Sequence, residues 1–196
     1  MRKATILTAA AIFALAAGVA DGGPRSAPAM SCQAFKQRLA EEIAKGGDHV
    51  VDPAFSPEGV ADVSGYEERH TFSNVRGLSG RLTCNASDDH FVIVEMAAEV
   101  PQIDDETIMR ILRIKALAAG ALGVVVEMPP RAAKRAVESL IDEASRDFAS
   151  DDLRGEGTPR GYAFFRYPDF PGGLDAAQIA VSFERGKISV AVSGRD

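Results

Sequence analysis

The chain's only two cysteines, Cys32 and Cys84, each stand in a context that turns them toward the core. Cys32, Phe35, Leu39 and Ile43 follow helical spacing, on a helix that begins at Ser31 and is stopped by Gly46-Gly47. Cys84 shares strand parity with Leu82 in "RLTCN", so the two side chains face the same way. Two lone cysteines in an oxidising compartment most simply form one disulfide. Such a bridge would fasten the first helix to a strand far along the chain and stabilise the fold by about 4 kcal/mol on the chain-entropy model. A redox pair would usually be close in sequence, which this pair is not.

The first twenty residues point to that compartment. In "MRKATILTAAAIFALAAGVA" two cations precede an uncharged run ending in small residues, the layout of a secretory signal peptide. Gly18-Val19-Ala20 and Ala27-Pro28-Ala29 both offer small residues for cleavage; the first lies nearer the apolar run. The expected organisation is a signal peptide over 1–20, a flexible segment over 21–30, and a single domain over 31–196, placed in the periplasm or secreted. Membrane contact is expected only through the signal peptide before cleavage, because the run is short and weakly apolar for a span. Its removal takes away Arg2 and Lys3, so the formal net charge of -6 falls by two more. That balance disfavours nucleic-acid partners, whose affinity comes largely from phosphate neutralisation.

The remainder suffices for one core, built mainly from aliphatic residues because tryptophan is absent. "DHVVDPAFSPEGVADVSG" reads as loop with one short extended piece. "YEERHTFSNVRGLSGRLTCNASDDHFVIVEMA" reads as three strands, with turns at 76–80 and 85–89. Asp104 and Asp105 can cap a core helix carrying Ile108, Ile111, Leu112, Leu117 and Leu122. A further helix is expected from Arg131 to about Phe148, followed by a connection over "SDDLRGEGTPRG". At the end, Ile179, Val181 and Phe183 alternate on one arm of a hairpin and Ile188, Val190 and Val192 on the other. The order predicts an α+β fold, an antiparallel sheet with three helices packed mainly on one face and a C-terminal β-hairpin. The segment "VVVE" over 124–127 fits either a helix end or a strand parallel to 92–95.

Chemistry-bearing motifs are few. Glu95 in "VIVEM" and Glu127 in "VVVEM" each follow an apolar run, and an acid held against aliphatic groups can have its pKa raised for general acid or base work. Both are read as points where the chain leaves the core. His49, His70 and His90 lack metal-ligand spacing, and no Gly-x-Ser-x-Gly elbow or phosphate-binding glycine loop occurs. No metal and no cofactor are expected. The densest recognition chemistry is "GYAFFRYPDFPGG", which gathers Tyr162, Phe164, Phe165, Tyr167 and Phe170. Tyr162, Phe164, Arg166 and Tyr167 are the candidate binding residues, since Tyr and Arg are enriched where binding energy concentrates.

The sequence therefore points to a small exported module that binds a protein or small-molecule ligand. The alternatives are a hydrolase using carboxylates such as Glu95 and Glu127, and a cell-envelope structural or assembly factor. We expect the exported chain to begin between Asp21 and Met30 and to carry no free thiol. Intact mass before and after alkylation checks both, and an alkylated Cys84 without prior reduction would refute the bridge.

Overall fold

The computed structural model describes residues 30–47, 51–60, 67–102, 104–154, 159–166 and 178–194; the expected signal peptide lies outside them. Seven strands form one antiparallel sheet: β1 (Ala54–Val60), β2 (Glu67–Ser73), β3 (Leu78–Asn85), β4 (His90–Glu99), β5 (Arg160–Arg166), β6 (Gln178–Glu184) and β7 (Lys187–Ser193). Their order is β1-β2-β3-β4-β7-β6-β5, so the N-terminal meander and the C-terminal strands join where β7 lies beside β4. Three helices, α1 (Cys32–Lys45), α2 (Asp105–Val126) and α3 (Pro130–Arg154), cover one face. This is the α+β arrangement the sequence predicts.

The helix-covered face follows from strand alternation. Leu82 and Val94 face each other across β3 and β4, Val94 pairs with Val192, and Val192 with Ile179. All four are buried. One bulge adjusts the pattern. A register shift between Thr83 and Cys84 sets Phe91 opposite Cys84 and puts its ring in the core, so Phe91 and Ile93, although two residues apart on one strand, point to opposite sides.

α1 is fastened by the Cys32–Cys84 disulfide, whose Cα atoms lie 6.0 Å apart. Beside it the Cys32 amide donates to the Asp89 carbonyl at 2.6 Å, and the Phe91 amide to the Met30 carbonyl at 2.8 Å. The rings of Phe35 and Phe91 stack with centroids 4.1 Å apart. The Ser31 hydroxyl caps the helix by accepting from the Ala34 amide.

The segment Val124–Val126 ends α2 as helix and is not a strand. It stops because Glu127 adopts a left-handed conformation and Pro129 and Pro130 follow after Met128. α2 is buried chiefly in its C-terminal half, where Gly120 lets α1 approach so closely that an added Cβ would lie 2.7 Å from Ile43 Cγ1. Ile108 and Leu112, expected in the core, lie outside that contact and are exposed. α3 runs to Arg154, absorbing the first residues of the expected connection.

α3 lies against β5 through Gly161, where an added Cβ would stand 1.9 Å from the Ala144 carbonyl oxygen. It also closes the outer edge of β5: Asp151 accepts from the Arg160 amide and Asp147 from the Tyr162 amide, each at 3.0 Å. The opposite edge, β1, carries Pro57 and a register shift between Pro57 and Gly59, features that discourage pairing with another strand. Among the described residues, no helix is long and apolar enough to cross a membrane.

Gly161→Ala should separate α3 from β5 and lower stability by about 2 kcal/mol, within the range for overpacking. A denaturation midpoint equal to wild type would show that this approach is not required.

Candidate functional site

The second face of the sheet is covered by none of the described elements. Alternation places two cross-strand rows of side chains there. One row runs Ser79, Ala97, Ser189, Ser182, Tyr162 and the other Arg81, Glu95, Ala191, Ala180, Phe164, from β3 through β4, β7 and β6 to β5. Both rows line a trough of about 880 Å³. Solvent-facing strand positions usually carry long polar side chains. Here the central ones are Ala and Ser, which leave the sheet backbone close to the surface and give the trough its depth.

At the β5 end stand Tyr162 and Phe164, 53% and 69% exposed. They are adjacent on the same face because they are two residues apart on a strand. Two of the four candidate binding residues are therefore part of one concave surface. Arg166 is next in the same alternation, but its side chain and all of Tyr167 lie outside the described residues. At the β3 end the Arg81 guanidinium meets Glu58 at 3.3 Å, and Glu95 stands cross-strand from Arg81.

Glu95 is thus a mid-strand residue on the open face, since β4 continues to Glu99. Glu127 lies at the end of α2 on the helix side, with its carboxylate exposed and 3.4 Å from Arg38. The sheet stands between the two acids and they do not converge. Cys32, Cys84 and Asp89 bring ligand-type atoms within 4.8 Å of one another, but both sulfurs are spent in the disulfide and have no thiolate to offer a metal.

His70 lies away from the trough, buried between β2 and α1. Its Nε2 is 3.2 Å from Lys36 Nζ and 3.2 Å from Glu68 Oε1, while its Nδ1 is buried without a partner among the described residues. A ring nitrogen holds either a lone pair or a proton, so Nε2 can accept from Lys36 or donate to Glu68, not both. Burial, and then the Lys36 charge, push its pKa below the ordinary histidine value against the opposing pull of Glu68 and Asp89.

Comparison with protein-family models, with curated proteins and with solved structures gives no match in any of the three. The trough is the feature that reasoning from sequence missed. Its signal was legible in Ala180 and Ser182 on β6 and in Ser189 and Ala191 on β7, small residues where a plain solvent face would carry charge.

The depressed His70 pKa has a sign. The unfolded state binds the proton more readily, so stability is full above the unfolded value of about 6.5 and falls as pH drops below it. Melting temperature should therefore decline between about pH 7 and 5.5, and His70→Gln should flatten that slope. An unchanged slope in the variant would assign the decline to other groups.

Proposed function

We propose that the protein is an exported binding module whose ligand site is the trough on the open face of its sheet. The bridged cysteines and the charged-then-apolar first twenty residues support export. One observation carries the binding reading: two large aromatic side chains held in solvent at the end of a concave, small-residue floor. Exposing Tyr162 and Phe164 has a hydrophobic cost, which contact with a ligand would remove. Both sit on a strand that pairs with β6 along its length and is held by α3 at Arg160 and Tyr162. Their positions are therefore set before a ligand arrives, which lowers the entropy lost on binding.

The two sheet edges argue for recognition on the face. Strand addition needs a row of free amides and carbonyls. On β5 the amides of Arg160 and Tyr162 are already taken by α3, and on β1 the proline and bulge interrupt the row. A hydrolase built on Glu95 and Glu127 gains no support from acids that lie on opposite sides of the sheet.

The test is selection of a displayed random-peptide library on the immobilised chain, with a counter-screen on the Tyr162→Ala/Phe164→Ala double variant. Enriched ligands should bind the double variant at least about tenfold more weakly, in keeping with aromatic residues as binding hot spots. Its melting temperature should stay within about 2 °C of wild type, as for exposed substitutions. Ligands that keep full affinity for the double variant would place the site elsewhere.

A further inference from the structure

The two rows of the trough differ in chemistry, and the difference selects a ligand. The first row is a line of hydroxyls: Ser79, Ser189 and Ser182, ending in the Tyr162 phenol. None of the three serine hydroxyls has a hydrogen-bond partner among the described residues. They can donate to and accept from a backbone lying over them. The second row is polar at one end and apolar at the other, running from Glu95 over Ala191 and Ala180 to Phe164.

The charges of the trough sort in the same direction. Arg81 is neutralised by Glu58. Lys187, at the side of the trough and outside both rows, stands in register between Glu99 on β4 and Glu184 on β6, and Glu184 also meets Arg160 at 3.6 Å. Glu95 has no ion-pair partner among the described residues, although it is exposed and its neighbour toward the trough's centre is Ala191. Along the row that ends in Phe164, the charge left for a ligand to match is the carboxylate of Glu95.

Dimensions supply the spacing. Glu95 and Phe164 are separated by three inter-strand steps, about 14 Å at the usual strand separation. An extended peptide advances about 3.4 Å per residue, so side chains four residues apart match that distance. An even separation also puts both on the same side of the peptide.

We propose that the trough takes an extended segment of a partner protein that carries a Lys or Arg and, four residues away, a large apolar side chain. The segment crosses the strands, with its cation against Glu95, its apolar side chain against Phe164 and Tyr162, and its backbone over the serine row. This rests on the reading of the trough as the ligand site, and specifies what enters it.

The probes are fluorescein-labelled nonapeptides of Ala and Ser containing Arg and Leu four residues apart, with three controls: Glu for Arg, Gln for Arg, and Arg and Leu three residues apart. Anisotropy titrations use the full mature chain with its disulfide intact. The Arg peptide with four-residue spacing should bind at least about tenfold more tightly than any control, a factor typical of one matched charge. Glu95→Gln, an exposed substitution whose melting temperature is measured alongside, should cut the affinity for the Arg peptide by a similar factor and leave the Gln peptide unchanged. If the Gln or Glu peptide binds as tightly as the Arg peptide, or Glu95→Gln has no effect, while Phe164→Ala weakens every peptide, the cationic specificity is wrong and the trough remains the site. Equal binding at three-residue spacing would overturn the extended, strand-crossing pose. Binding that Phe164→Ala leaves untouched would overturn the trough itself, and no binding by any probe would overturn the peptide class.

Discussion

The architecture depends on the fastening of α1 to the β3–β4 turn. A helix of fourteen residues with no neighbour before it in the described chain has to be held over a sheet formed mostly from later residues. The Cys32–Cys84 bond does this covalently. The amide of Cys32, the amide of Phe91 and the stacked Phe35–Phe91 pair add directional contacts within a few residues of the bond. With α1 set, Leu39 and Ile43 form the surface against which Gly120 of α2 packs, and α2 in turn covers the centre of the sheet. Because all three helices lie on one side, the other side has no described cover, and the trough follows from the same arrangement that makes the core.

Much of the fold was legible because local rules and tertiary packing agree. Cys32, Phe35, Leu39 and Ile43 repeat with the helical period and all four are buried. Ile179 and Val181 alternate against Val190 and Val192 and all four are buried in the sheet. The departures have physical reasons. A run such as Val124 to Val126 satisfies helix and strand templates equally, and its state is settled by continuity with nineteen preceding helical residues and by the prolines after it. Ile108 and Leu112 carry the periodicity of a core face, but periodicity does not reveal which stretch of a long helix its neighbours reach. The bulge beside Phe91 depends on a partner strand, so no local pattern announced it.

The site was less legible, since it is made of spacing between strands. Tyr162 and Phe164 stand out in sequence by aromatic density, and parity alone places them on one face. That Phe164 ends a row containing Glu95 required the order β4-β7-β6-β5, which joins residues about seventy apart in the chain through two strands that come last. Small residues at Ala180, Ser182, Ser189 and Ala191 are informative only once all four are known to be adjacent.

The clasp between α3 and β5 is a match between two rulers. Asp147 and Asp151 are one helical turn apart, about 6 Å along the axis, and they accept from amides two residues apart on a strand, about 6.8 Å. The mismatch is small over one interval and grows with each repeat, so a helix can stand in for a neighbouring strand only briefly. It also requires the two elements to run side by side in opposite senses, as the pairing of Asp151 with Arg160 and Asp147 with Tyr162 shows. Beyond Tyr162 the two scales drift apart, and the Phe164 amide has no partner in the helix. One end of β5 is gripped like a rung in a frame by both neighbours, while at Phe164 the strand is held by β6 alone.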